Sequence, residues 1–299
     1  MTEKRPIEPA DCYARVARIR GELELLRLEM GRPADAQSDL GVTGAQPREV
    51  YFVALGMFRK VDRLCFEHTG EQGTLPYPPP LADLKPADVL TVLDAVLERV
   101  NRVKSTLGLS EHAAEPAREP ARTPSDVFRA IVAANRQLNL LLEQPFSPAD
   151  VYQQVSLAGA YAASLRAHAS DQTTVPTMPA FARRKRPADC YRKLGDAVDR
   201  VEILVARAGL QMLDLTVGEV NAERVTPSDV YDLASLLVAE LAYLHAQIPG
   251  LAPVIIQPTA PPGRRLPSHV FQLASLVEEQ LAAVEKLTEK NAGALRPSR

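Results

Sequence analysis

The chain has no tryptophan and only three cysteines, and its formal net charge is −2 over 299 residues. The cysteines, Cys12, Cys65 and Cys190, form no disulfide framework and show no zinc-ligand spacing. Because the charges nearly balance, no overall field recruits nucleic acid or an anionic membrane. No apolar run approaches the roughly 20 residues that a membrane-spanning helix requires. We therefore expect neither nucleic-acid binding nor membrane insertion.

The recognisable signatures of catalysis are missing as well. The sequence contains no phosphate-binding loop, no dinucleotide fingerprint and no Gly-x-Ser-x-Gly turn. Cys65 and His68 share one face of a predicted helix, but no second pair of ligands completes a zinc site. No Glu-x-x-His pair of the kind that builds di-metal bundles is present. We expect no enzymatic activity, no metal and no cofactor.

The N-terminal residues and the cysteines bear on the cellular compartment of the protein. The first residues, Met1–Pro6, are polar and lack the apolar core of a signal peptide. Cys12 and Cys190 occupy the same place in a repeated pattern where other copies carry valine, so we interpret them as small buried apolar residues. A cytoplasmic location is expected for the chain as written, and a periplasmic one if a leader was removed.

Proline is abundant, and eight of the 25 prolines open copies of one short pattern. Each copy, here called a cassette, consists of a proline, any residue, an acid, an apolar residue and an aromatic residue. The cassette prolines are Pro9, Pro47, Pro86, Pro124, Pro148, Pro187, Pro227 and Pro267. The closing aromatic residues are Tyr13, Tyr51, Phe128, Tyr152, Tyr191, Tyr231 and Phe271. His269 replaces the acid once, and Leu90 replaces the aromatic residue once.

The cassette has the properties of a helix start. Thr226 is a good N-cap, because its side-chain oxygen accepts a hydrogen bond from a backbone N–H of the first turn. Pro227 fits the first helical position, where its missing N–H costs nothing. Asp229, at the third position, completes a capping box and meets the positive end of the helix dipole. Because capping explains the pattern, we interpret the cassette as architecture rather than as a ligand site.

The cassette spacing predicts the fold. Apolar residues follow each cassette at every third or fourth position, as in Val89, Leu93 and Val96, which is typical of an amphipathic helix. Successive cassette prolines lie 38, 39 and 38 residues apart, then 24, then 39, 40 and 40. We therefore predict an all-α protein of eight helices from an internally repeated unit of about 39 residues, arranged as two tandem four-helix bundles. The short interval sets the two halves at residues 1–145 and 146–299.

The linkers bear on helix direction. A helix of about 21 residues is about 32 Å long, whereas a linker of about 16 residues reaches about 50 Å when extended. Each linker is therefore long enough to run back along the bundle, so that the next helix begins at the same end as the preceding one. All helices of one half would then be parallel, which is the arrangement we favour. The alternative is an antiparallel bundle with loose loops.

A parallel bundle brings the cassette tyrosines of the second half, Tyr152, Tyr191 and Tyr231, to one level. Either each ring packs beneath a neighbouring linker, or the hydroxyls converge on a pocket for a small ligand. These three tyrosines are the candidate binding residues. The basic run Arg183–Arg186 offers contacts to phosphate or to an acidic partner, but we interpret it as a solvated linker.

Three functions are compatible with these patterns. The repeats and the missing chemistry favour a non-catalytic interaction or scaffold protein, with a protein partner or self-association. The alternative is a sensory bundle that binds a small ligand near the tyrosine-bearing helix ends. An enzyme with an unrecognised site ranks third, because it requires chemistry for which the sequence shows no motif.

Overall fold

The computed structural model describes residues 5–34, 41–75, 83–170, 177–216, 223, 225–254, 264–290 and 295. Within these residues the helices are α1 Pro9–Glu29, α2 Pro47–Thr69, α3 Pro86–Thr106, α4 Pro124–Leu141, α5 Pro148–Ala169, α6 Pro187–Arg207, α7 Pro227–Gln247 and α8 Pro267–Lys290. Each helix begins at a cassette proline, so the predicted all-α class and the helix starts are confirmed. Two three-residue strands, β1 Gly41–Thr43 and β2 Asp214–Thr216, pair in antiparallel fashion.

Contacts divide the chain into two units. Unit 1 comprises Met1–Pro145 and Leu213–Gly218, and unit 2 comprises Phe146–Met212 and Glu219–Arg299. The strand β2 therefore belongs to unit 1, where it pairs with β1. The sequence pattern did not predict these two strands, because a strand of three residues is too short to show a recognisable alternation of apolar and polar residues. Apart from the β2 segment the units coincide with the predicted halves, and the independence of the halves as domains remains a prediction.

The helices of each unit share one pattern of neighbours. In unit 1, α1 and α2 each pack against both α3 and α4. In unit 2, α5 and α6 each pack against both α7 and α8. The first two helices of a unit therefore lie diagonally across the bundle from each other. An internal duplication would produce this shared pattern, but the duplication itself remains a prediction.

All four helices of unit 2 begin at the same end. Their first turns surround a small apolar well, which is lined by Pro148, Val151, Pro187, Cys190, Pro227, Val230, Pro267 and Val270. These are the first and fourth residues of α5, α6, α7 and α8, so the four helices are parallel. We call this end the cap end of unit 2.

The helices of unit 1 are parallel too. The Cys12 thiol in α1 lies 3.2 Å from the carbonyl oxygen of Pro86, the first residue of α3. The guanidinium of Arg122, two residues before α4, lies 4.1 Å from the ring of the α1 cassette tyrosine. The backbone N–H of Ala45, just before α2, donates to Ser125 Oγ in the first turn of α4 at 3.1 Å. The arrangement favoured by the linker lengths is therefore present in both units.

The linker between α3 and α4 shows how the chain returns. The backbone N–H of Ala113 donates to Glu22 Oε1 in α1 at 3.2 Å. Five residues later, Arg118 forms ion pairs with Glu8 and Asp11 at the start of α1. The 11 residues from Asp11 to Glu22 rise about 16 Å along the helix, and five extended residues span about the same distance. The linker therefore runs nearly extended along α1, antiparallel to it.

Candidate functional site

The cassette acids close each helix start. In seven cassettes the carboxylate accepts a hydrogen bond from the backbone N–H of the residue before the proline, at 2.7–2.8 Å. Three hydroxyls accept in return from the N–H of the acid at 3.3–3.4 Å, those of Thr123, Ser147 and Thr226. In the eighth cassette the backbone N–H of Leu266 donates to His269 Nδ1 at 3.0 Å. His269, which departs from the sequence pattern, therefore performs the same capping role without a negative charge.

The Asp229→Ala variant tests the cap energetically. Asp229 accepts from the Thr226 N–H at 2.8 Å and faces the positive end of α7. We expect its removal to lower the free energy of unfolding by about 0.5–2 kcal/mol, measured by urea denaturation. Asp229→Asn keeps an acceptor without the charge, and we expect it to lose less. An alanine variant as stable as the parent would contradict the capping role.

The cassette rings pack on neighbouring linkers. Four of them contact the residue that lies two positions before the proline of an adjacent helix. The pairs are Tyr13 with Arg122, Tyr152 with Arg265, Phe271 with Lys185, and Tyr231 with Phe146, all at 4.1–4.2 Å. Three of these pairs place a cation over a ring, a contact that contributes about 0.5–1 kcal/mol at exposed sites. These four rings therefore help to fix the segments that lead into α4, α5, α6 and α8.

The three candidate tyrosines occupy different surroundings. Tyr152 packs under Arg265, Tyr231 packs against Phe146, and Tyr191 is partly exposed. None of the three lines the apolar well, because the fifth residue of a cassette lies further round the helix than the first and fourth. The described contacts resemble the first alternative, in which the rings are linker anchors. Ligand binding by these tyrosines remains a prediction.

The apolar well at the cap end of unit 2 is small. Its volume is about 200 Å³ including its open mouth, and only proline, valine and Cys190 line it. Typical ligand pockets contain a few polar groups that orient the ligand. The well therefore offers shape to a small apolar group, but no directional contact from its lining side chains.

The cysteine thiols are buried. Burial, followed by the nearby carboxylates Asp11 and Asp189, raises the pKa values of Cys12 and Cys190 to about 12. Each of these thiols donates to the carbonyl of the proline that opens a neighbouring helix, at 3.2 Å. Cys65 is also buried and free. Since the thiolate is the nucleophilic form, Cys12 and Cys190 serve packing, as their shared position with valine indicates. No group of three or more His, Cys, Asp or Glu among the described residues is placed to hold a metal ion.

A serine–histidine pair bridges α5 and α7. Ser164 Oγ and His245 Nε2 lie 2.9 Å apart, and the Tyr161 ring packs edge-on against the imidazole. Burial, with a smaller effect of His168, lowers the pKa of His245. Within the described chain no carboxylate pairs with this histidine, so it lacks the third member of a catalytic triad. Sequence reasoning missed the pair because 81 residues separate its members.

His245 should make stability depend on pH. In the unfolded chain its imidazole takes up a proton near the ordinary pKa of 6.5. The buried imidazole has a lowered pKa, so the folded state binds this proton less readily and stability falls as the pH drops below that value. We expect His245→Gln to lose less stability than the parent between pH 7 and pH 5 in urea denaturation. Equal losses in the two proteins would refute this role.

Large apolar side chains are exposed near the cap end of unit 2. Met178, Phe181 and Leu266 are 48%, 45% and 47% exposed. The Phe181 ring contacts the His269 ring at 5.1 Å, and the Leu266 N–H bonds to the same imidazole. Leu266 occupies the N-cap position of α8, where the other seven helices carry a polar residue. The leucine at a position that is polar before every other helix is the sequence signal from which this exposed apolar surface could have been predicted.

Exposed arginines lie in the same two segments of the chain as these apolar side chains. Arg183, Arg184 and Arg186 precede α6, Arg264 precedes α8, and all four are exposed. None of the four forms an ion pair within the described part of the chain. The Lys185 N–H donates to a side-chain hydroxyl in the first turn of α8 at 3.2 Å, which holds the two basic segments side by side. The basic–apolar patch is defined as Phe181, Arg183, Arg184, Arg186, Arg264 and Leu266.

Comparisons with known proteins give no assignment. The chain matches no protein-family model, no curated protein and no solved structure. In the part of the chain that the structure describes, none of the helices is both long and apolar enough to cross a lipid bilayer. Functional inference therefore rests on the chain's own residues.

Proposed function

We propose that the protein is a non-catalytic interaction or scaffold protein that binds a protein partner or a second copy through the basic–apolar patch. The observation that carries this proposal is the exposure of Phe181 and Leu266 in the same segments as four exposed arginines that form no ion pair with any residue the structure describes. Aromatic residues, methionine and arginine are enriched at protein interfaces. Exposed apolar side chains that cluster, rather than scatter, mark such surfaces.

The patch is held in place before any partner binds. Gln272 Nε2 in α8 donates to the Pro179 carbonyl at 2.7 Å, and the Lys185 N–H donates to Ser268 Oγ at 3.2 Å. These bonds fasten the linker that carries Phe181 and the arginines to the first turns of α8. A preorganised surface loses less entropy on association than a loose loop does.

The experiment is site-specific photo-crosslinking in the cell of origin. A benzoylphenylalanine at position 181 should yield a discrete covalent protein adduct. The matched control places the same residue at Ile203, which is 39% exposed and lies about 24 Å along α6 from its start. An adduct of twice the chain mass indicates self-association, and any other mass indicates a distinct partner. No adduct at 181, or equal adducts at both positions, would overturn the proposal.

A sensory bundle that binds a small ligand is the second candidate. The apolar well between the four helix starts supports it, although the predicted tyrosines lie outside the well lining. Native mass spectrometry of the parent and of the Tyr191→Phe/Tyr231→Phe variant tests this reading. We expect no difference in retained mass between the two. A ligand lost only from the variant would favour the sensory function.

We also propose that the two halves arose by a tandem duplication and that the protein is cytoplasmic. Equivalent bonds support a tandem duplication, since Ala45 donates to Ser125 before α2 and Lys185 donates to Ser268 before α6. The three free cysteines support a cytoplasmic location, because disulfides form in oxidising compartments.

A further inference from the structure

We propose that the partner recognised by the basic–apolar patch is an acidic protein segment with at least one large apolar side chain. This inference rests on the proposed interaction function and specifies its chemistry. The carboxylates of the segment would pair with the arginines of the patch, and the apolar side chain would cover Phe181 and Leu266. The overall charge of −2 gives no long-range attraction to polyanions, so recognition depends on this local surface.

The first support is the contrast between the two units in how their basic residues are used. At the helix starts of unit 1, Arg118 pairs with Glu8 and Asp11, Arg5 pairs with the same two acids, and Lys85 pairs with Asp83. In unit 2 the four arginines of the patch form no ion pair among the described residues. Guanidinium groups bind carboxylates through two parallel hydrogen bonds, which favours an acidic partner.

The second support is the direction of the helices. Parallel helices place the positive ends of their dipoles together, each equivalent to about half an elementary charge. In unit 1 the four cassettes carry four acids: Asp11, Glu49, Asp88 and Asp126. In unit 2 only Asp150, Asp189 and Asp229 do so, and His269 caps α8 through Nδ1. The cap end of unit 2 therefore has one cassette acid fewer, and the residue in its place, His269, contacts the Phe181 ring and accepts from the Leu266 N–H.

The third support is the apolar part of the patch. Phe181 packs on one side of His269, and the Leu266 N–H bonds to the Nδ1 atom of the same ring. Leu266 stands where a hydroxyl would cap the helix, so its side chain extends towards solvent and remains 47% exposed. Two exposed apolar side chains on a rigid support, with exposed arginines in the same segments, match the apolar centre and polar rim of a protein interface.

The test measures fluorescence anisotropy of a labelled synthetic peptide that contains about six glutamates, one leucine and one phenylalanine. The full-length protein should bind it, and the affinity should fall as salt rises above about 0.1 M, because ion pairs are screened. A peptide with glutamine in place of glutamate should bind at least about tenfold more weakly. Equal binding of the two peptides, or no binding of either, would overturn the inference.

Charge reversal locates the site. Arg183→Glu/Arg264→Glu should raise the peptide Kd about tenfold or more. The matched control is Arg20→Glu/Lys286→Glu, which reverses two exposed charges outside the patch and should leave Kd unchanged. Circular dichroism confirms that all variants keep their helices. Equal effects of the two variants would show that net charge alone governs binding, and the inference would fail.

A second variant separates binding from folding. Leu266→Ser supplies the hydroxyl cap that Thr226 and Ser147 provide elsewhere, so the melting temperature should be maintained or rise. Peptide affinity should nevertheless fall several-fold, because the apolar anchor is lost. A Leu266→Ser protein that binds the peptide like the parent would remove the apolar part of the inference.

Competing anions complete the experiment. Vesicles with about one-third phosphatidylserine and a single-stranded oligothymidylate serve as probes for a membrane surface and a nucleic acid. We expect neither to displace the peptide at equal charge concentration. Displacement by either probe would assign the patch to that class of partner instead. A specific cross-link at position 181 combined with no peptide binding would leave the interaction function standing and refute only the acidic segment.

Discussion

Replacing Glu22 with leucine is expected to lower the free energy of unfolding by about 3–5 kcal/mol. Glu22 in α1 and Lys104 in α3 form an ion pair in the interior of unit 1, and both side chains are almost fully buried. Without the carboxylate, the Lys104 ammonium retains the Glu111 carbonyl but no opposite charge. An uncompensated charge in the interior is expensive because water no longer solvates it.

The double variant Glu22→Leu/Lys104→Met is the control. It replaces both ions with apolar groups, so we expect it to recover most of the lost stability in urea denaturation. A double variant no more stable than Glu22→Leu alone would show that the linker contacts of Glu22 matter more than its charge. The linker contact is the hydrogen bond from the Ala113 N–H at 3.2 Å, and Arg18 Nε of α1 itself donates to the same carboxylate at 3.0 Å.

The same pair gives a pH signature. Burial raises the pKa of Glu22, but hydrogen bonds from Lys104 and Arg18 outweigh burial and leave the pKa below its usual value. The stabilisation is therefore present above the ordinary carboxyl pKa of 4.5 and is lost as the pH falls below it. The double variant lacks this contribution and should lose less stability than the parent in acid.

Gly21→Ala is the second substitution with a large expected effect. A Cβ atom at position 21 of α1 would lie 2.6 Å from the Ala113 Cβ, so the returning linker could not stay against the helix. We expect a cost of about 1–3 kcal/mol from this overlap, which the gain of about 1 kcal/mol from replacing glycine within a helix offsets only in part. Urea denaturation should show a net loss of stability.

Gly195→Ala provides the matched control for this change. Gly195 lies within α6, and a Cβ there meets nothing within 4 Å. This variant should gain about 0.5–1 kcal/mol through helix propensity alone. If both alanine variants gain stability equally, the linker does not rest on α1 in the way that the structure shows.

The linkers connect these predictions with the proposed function. In unit 1 the linker before α4 is held by Glu22 and by Arg118, which pairs with acids at the start of α1. In unit 2 the linker before α6 is held by hydrogen bonds to α8, and its arginines make no ion pair within the described residues. The basic residue Arg118 of the linker before α4 thus pairs inside unit 1, whereas the arginines of the linker before α6 are exposed on unit 2, where we propose that a partner binds.

The positions at which the helices begin follow from short stretches of sequence. A cassette acts within five consecutive residues, so its cap, its proline and its acid specify a helix start without knowledge of the rest of the chain. Linker length compared with helix length favoured the parallel direction but left an antiparallel bundle open, because a long linker permits either arrangement. His269 illustrates the limit of such reasoning, since its departure from the pattern concealed the same hydrogen bond.

Contacts between residues that are far apart in the chain depend on tertiary packing. Glu22 and Lys104 are 82 residues apart, and Ser164 and His245 are 81 apart, and no local pattern pairs them. The basic–apolar patch likewise joins segments before α6 and α8 that the chain separates by about two helices. Three of its four arginines form a run that is visible in the sequence, but their exposure and their neighbours depend on how the linkers pack. Helix capping involves residues that are adjacent in the sequence and is therefore predictable from it, whereas packing depends on the whole bundle.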